Sequence, residues 1–203
     1  HDLLSDVTYE SLAGTNVPRD FVELASQIME NWAGEPEVMK TYARHYQTGE
    51  PIPQALLDRI KKASEFNQGF VTVEYESACF LDMDWATLTD AKERDAETFE
   101  NASMKKIGMI PEIVVRYRTP YFQHIFSGGY SAGYYSYLWS EVLDADAFEA
   151  FKETSLFDPA TAKRFRDNIL SRGNTEEPMA LYKAFRGREP RVEPLLKRRG
   201  LLK

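Results

Sequence analysis

The chain is predicted to be all-α. Apolar residues recur three and four apart along most of its length, Gly, Pro and small polar residues separate the runs, and the period-two alternation of a half-buried strand is scarcely found. The first residues read as the tail of a helix, and Gly14 to Arg19 reads as a loop. Asp20 then fits the cap of a helix with the apolar face Phe21, Leu24, Ala25, Ile28 and Trp32. Gly34 and Pro36 end that helix and open another through Val38, Met39, Tyr42, Ala43 and Tyr46, and Thr48 to Pro53 forms a turn rich in breakers. A further helix follows through Leu56, Leu57, Ile60 and Ala63. Phe70 to Tyr75 has a β-branched flavour, yet the spacing onward through Ala78, Leu81, Asp82 and Trp85 favours a helix.

From Gly108 to Gly129, prolines, arginines and glycines break any long periodicity, which predicts an ordered loop. A long helix is expected from Tyr130 to about Glu153, with Leu138, Trp139, Val142, Phe148 and Phe151 supplying apolar contacts. Asp158-Pro159 is a capping residue followed by a first-turn proline, and Gly173 fits the stop of the helix so begun. Another helix spans about Thr175 to Phe185. Lys197, Arg198 and Arg199 before Gly200 fit a basic helix end, where cations favour the negative dipole terminus. No repeat or flexible linker offers a cut, so residues 1–203 read as a single helical unit.

Composition narrows the function. With 43% hydrophobic and 28% charged residues in 203, the balance is that of an ordinary globular chain. The net charge of -7 gives no general attraction to a phosphate backbone, so a nucleic-acid partner is disfavoured. Cys79 is the one cysteine and sits among apolar neighbours, which predicts a buried small hydrophobe and excludes an internal disulfide. No apolar run approaches the roughly 20 residues that span a bilayer, and nothing resembles a cleavable signal, so no membrane is expected and the cytoplasm is the compartment inferred.

Two groups of residues could carry chemistry. Glu23 follows Asp20 by three, approximating a capping box, and shares a polar face with Gln27 and Glu30; its spacing alone reveals no metal ligand. The second group is His124, Gly128, Gly129, Tyr130, Tyr134 and Tyr137. On a helix the three tyrosines, spaced by four and three, would project their phenols from one face. Such neutral donors suit an oxyanion developing on an attacked amide, and the glycines would admit a peptide backbone. His124 could donate a hydrogen bond to the same substrate or titrate. Tyrosines at helical spacing equally fit core packing with wet tips.

The segment from Ser11 to Trp32, containing Phe21-Val22-Glu23, resembles the second zinc-site motif of the thimet oligopeptidase, oligopeptidase A and peptidyl-dipeptidase family of zinc metallopeptidases. The similarity continues through Ala43-Arg44-His45 to Gly49, the block from His124 to Trp139, and Ile169 to Asn174, and so covers nearly the whole chain. Where the motif usually carries a proline, this chain has Ala25. The resemblance implies the C-terminal helical part of a zincin-type catalytic domain, with Glu23 as the third zinc ligand. It implies that His124, Tyr130 and Tyr137 line the substrate cleft, Tyr130 and Tyr137 contacting the substrate and the tetrahedral intermediate; Tyr134 is the weaker carry-over, and Gly128 and Gly129 enter as substrate-binding through the close backbone approach they permit. The run Val115-Arg116-Tyr117-Arg118 and the segment Ser171 to Asn174 resemble the peptidyl-dipeptidase branch, which implies release of C-terminal dipeptides. Arg118 or Arg116 could then pair with a substrate carboxylate, or either could make a structural ion pair.

The family's H-E-x-x-H is not found: His1, His45 and His124 are the only histidines, and none pairs with another at that spacing. By the resemblance, His1 falls three residues after the second zinc histidine, with Asp2 where a glycine is usual. A catalytic zinc takes three protein ligands and an open position, so the chain is expected to be a fragment whose partner is the rest of its own polypeptide, inactive and zinc-free alone. The complete protein would take short peptides. A metal-free helical module that binds peptides and an oligo-endopeptidase are the rival readings.

Overall fold

The computed structural model describes residues 1–202, and among them no strand forms; an isolated antiparallel bridge, Arg44 to Pro51, is the β feature. The α-helices in order are α1 (Arg19–Val22), α2 (Leu24–Gly34), α3 (Pro36–Tyr42), α4 (Gln54–Ser64), α5 (Gln68–Ala86), α6 (Ala96–Lys106), α7 (Gln123–Phe126), α8 (Ser136–Lys152), α9 (Pro159–Phe165), α10 (Pro178–Arg186) and α11 (Glu193–Arg198). The all-α expectation is met, while several boundaries move for identifiable reasons.

Asp2–Leu4 is a single 3₁₀ turn where a helix tail was expected. The helix expected with Asp20 as its cap opens two residues earlier, because the Pro18 carbonyl accepts from the Phe21 and Val22 amides, and it breaks at Glu23 into α1 and α2. α3 stops at Tyr42. Beyond it the chain folds back, His45 N–H donating to the Glu50 carbonyl and Ile52 N–H to Ala43, which leaves Tyr46 exposed. α6 has no counterpart in the sequence reading. Its start is nonetheless explicit, since the Asp95 carboxylate accepts from the Thr98 amide at 2.8 Å as a capping residue does. The Asp158 cap holds as expected, accepting from Thr161 N–H at 2.8 Å, but after Phe165 the helix widens into a π-turn, Arg166–Leu170. Gly173 then ends it at φ +50, where an added Cβ would run into the Leu12 carbonyl oxygen.

The described residues form two compact units, His1–Phe66 with residues 138–202, and Asn67–Tyr137. In the first, Phe21, Leu24 and Ile28 of α1 and α2 pack with Leu143 and Phe148 of α8 and with Tyr182 of α10. Burying each large apolar side chain is worth about 2 kcal/mol. Trp32 sets its edge against Phe148 and Phe151, both at 4.7 Å between centroids, and donates to the Leu156 carbonyl at 2.9 Å.

Two carboxylates of α8 are buried with that core and partnered by arginines from the chain's end. Asp146 receives Arg188 and the Tyr182 hydroxyl, each at 2.7 Å. Asp144 receives Arg198 at 2.6 Å and Asn31 at 2.9 Å. Burial pushes the Asp144 carboxyl above its ordinary range, against the pull of Arg198 and Asn31. The basic tail at Arg198 and Arg199 thus serves more than a helix dipole: both guanidinia also pair with Glu141.

In the second unit, Ala78 and Leu81 of α5, Met104 of α6, Phe122, Ile125 and Tyr134 form the core. Trp85 stacks on Phe99 at 3.9 Å and donates to the Thr119 hydroxyl. Cys79 is half-buried against this core.

Candidate active site

Glu23 lies in the first unit, at the break between α1 and α2, with φ -82 and ψ -5. The break keeps its carbonyl in the helix, accepting from Gln27 N–H at 2.9 Å, and leaves the carboxylate half-buried beside Ser26, whose hydroxyl donates to it at 2.7 Å. Asp20 lies inside α1, whose cap position is taken by Pro18, so it does not stand at the capping position expected. Among the described residues no three His, Cys, Asp or Glu side chains come together as a metal site.

The aromatic residues belong to the second unit, and their arrangement differs from the single helical face expected. Tyr130 and Tyr134 precede α8 in a run of turns; Tyr137 lies in its first turn. The reason is local. Gly129 takes φ +79 and Ala132 φ +54, left-handed conformations that no right-handed helix contains. The Tyr130 amide donates to the His124 carbonyl at 2.8 Å, folding the loop back on α7. Gly128 is required by the same turn, because a Cβ there would stand 2.9 Å from the His124 Cα.

The turns nonetheless gather the rings. Tyr130 stacks on Tyr137 with centroids 4.8 Å apart and planes 19° from parallel. The His124 imidazole stands edge-on to Tyr134, Tyr137 and Tyr130 at 5.4, 5.9 and 6.2 Å, and 4.8 Å from Tyr117. Tyr134 is only 2% exposed and belongs to the core, whereas Tyr130 and Tyr137 are half-buried. Burial, with the nearby Tyr117 phenol, pushes the Tyr134 hydroxyl far above its ordinary value against the pull of Arg116, so it stays a neutral donor. Arg116 lies over the Tyr75 ring at 5.1 Å and the Tyr117 ring at 5.8 Å, and pairs with the Glu74 carboxylate at 3.7 Å. Arg118 likewise faces a carboxylate, that of the buried Glu100, at 3.5 Å, so each arginine makes a structural ion pair.

The sequence reading gave no site role to Tyr117 or to the anchoring carboxylate Asp82, whose oxygens accept from the Ala132 and Tyr134 amides. A signal existed for the second: Asp82 stands four residues after Ala78 on the apolar face of α5, where a charge is out of place unless partnered. Tyr117 lies in a loop, where no periodicity marks a side chain's direction, and it was read only as part of the run with Arg116 and Arg118.

An all-α chain with a nest of neutral phenols around an imidazole defines a site suited to a polar, hydrogen-bonding ligand. Residues 1–201 match Peptidase family M3, and the chain belongs to that family. It is 45% identical over 203 residues to the dipeptidyl carboxypeptidase of Escherichia coli (strain K12), covering 99% of this chain and 30% of that protein. Oligopeptidase A of Haemophilus influenzae is 43% identical over 204 residues, 100% of this chain and 30% of the relative. Saccharolysin of Saccharomyces cerevisiae is 33% identical over 209 residues, 99% and 28%. The chain therefore spans about 30% of the length of these relatives.

Proposed function

We propose that this chain is the C-terminal portion of a metallopeptidase catalytic domain that cleaves short peptides, releasing C-terminal dipeptides, with the cytoplasm as its compartment. The observation that supports this most is the gathering of His124, Tyr130, Tyr134 and Tyr137 into one ring cluster, joined to membership of Peptidase family M3. Glu23 suits zinc as a half-buried carboxylate oxygen donor, one member of a ligand set whose other members lie outside the described residues. Bound zinc would polarise the scissile carbonyl and activate water. The chain's own residues do the rest: Tyr130 and Tyr137 donate to the oxyanion, and His124 hydrogen-bonds the peptide. Gly128 and Gly129 keep the turn tight, Tyr134 braces the cluster from the core, and Arg118 or Arg116 takes the C-terminal carboxylate.

A second reading, an oligo-endopeptidase, is favoured by the near-equal identity to oligopeptidase A, 43% against 45% for the dipeptidyl carboxypeptidase. Cleavage of free and C-terminally amidated versions of one peptide by the complete polypeptide carrying H-E-x-x-H separates the two. Loss of cleavage on amidation is expected; equal rates would replace the exopeptidase with the endopeptidase. In the same protein Tyr137→Phe is expected to lower kcat by about 10²-fold with KM little changed. Glu23→Ala is expected to lose zinc by elemental analysis, and full retention of the metal would remove Glu23 from the ligand set.

A further inference from the structure

In an unbroken helix, residues seven apart lie about 10.5 Å apart along the axis and cannot stack. Tyr130 and Tyr137 do stack, at 4.8 Å, because the chain between them is thrown into a turn with Ala132 at φ +54. That conformation costs a non-glycine residue about 1 kcal/mol, so something must hold it. The holder is Asp82 on α5: one carboxylate oxygen accepts from the Ala132 amide at 2.8 Å, the other from the Tyr134 amide at 2.9 Å. Asp82 is 1% exposed, and no basic side chain among the described residues forms an ion pair with it. A buried carboxylate satisfied by backbone amides alone is a costly way to secure a loop. Its distinction is that both oxygens fix the turn on one short stretch of backbone, through charge-assisted bonds of defined direction.

We propose that Asp82 is a positioning residue for peptide hydrolysis, clamping the Ala132 and Tyr134 amides so that the Tyr130 and Tyr137 phenols meet the oxyanion together. This rests on the reading that those two phenols act on the substrate. The test is a cycle in the complete zinc-loaded polypeptide, combining Asp82→Asn with Tyr130→Phe/Tyr137→Phe, with kcat, KM, zinc content and thermal unfolding measured for each variant.

Asp82→Asn is expected to lower kcat by about 10²-fold, the effect of a misplacement near 1 Å. KM should stay within about twofold of the parent, because binding elsewhere is untouched. In the double-phenylalanine background the same substitution should change kcat by less than about threefold, since the groups it positions are already gone. A wild-type kcat for Asp82→Asn overturns the proposal, as does a full repeat of the loss in the double-phenylalanine background, which would be plain structural damage. If Asp82→Asn does not fold, Asp82→Glu enters the same cycle with the same expected and overturning results. A wild-type kcat for the Tyr130→Phe/Tyr137→Phe protein itself marks the separate failure of the underlying reading.

Discussion

Cys79 shows how a side chain's surroundings decide its chemistry. It is half-buried on α5, and burial, with the charges of Glu76 and Asp82 nearby, pushes its thiol from 9.0 up to about 12. The thiol is therefore protonated throughout the neutral range, and only the thiolate reacts quickly. The native chain at pH 8 is expected to react with an aromatic disulfide reagent at least about 100-fold more slowly than the urea-unfolded chain. Equal rates would mean that the thiol is open to solvent. The same shift has a sign for stability: below 9.0 it contributes fully, and it is lost as pH rises toward about 12, because the unfolded chain gives up the proton first. Glu23 and Tyr137 illustrate the other case, since their proposed roles come from the resemblance and from neighbours in space; spacing alone left Glu23 as a capping acid and Tyr137 as packing.

A local deciding contact makes a helix boundary readable, though it does not ensure that it is read. Asp158 with Pro159 was recognised because the cap bond reaches only to Thr161. Asp95 makes the same bond to Thr98, and α6 was missed although its cap is equally local. The Asp95 carboxyl is held below its ordinary 3.8 by hydrogen bonds from the Thr98 hydroxyl and then the Thr98 amide. A depressed carboxylate contributes stability above its unfolded value that is lost as pH falls through its folded one. Asp95→Ala should thus lower the urea midpoint at pH 7, with the difference from the parent closing as pH falls below 3.8. A difference that persists undiminished at low pH would assign the effect to packing. The break at Glu23 is a different matter, because apolar periodicity runs on through it, while at α8 the four-and-three spacing of the tyrosines pointed to a helix across Gly133, a poor helix former.

At the scale of the molecule, the two buried aspartates of α8 govern how the end of the chain, from Tyr182 to Arg198, is held in the first unit. Asp146, fully buried, accepts from Arg188 and Tyr182 and lies beside Arg186. Asp146→Ala strands those partners and is expected to cost about 3 kcal/mol in urea unfolding, the range for breaking one side of a buried pair. A cost under about 1 kcal/mol would place the pair among exposed, screened ones. The sequence by itself determined the helical class, the order of most elements and the family resemblance, because these depend on neighbours three or four residues apart and on short motifs. Only the tertiary structure decided that the tyrosines meet through a left-handed turn instead of along a helix face. The partner that holds that turn, Asp82, stands 50 and 52 residues from the amides it accepts from, beyond the reach of any local pattern.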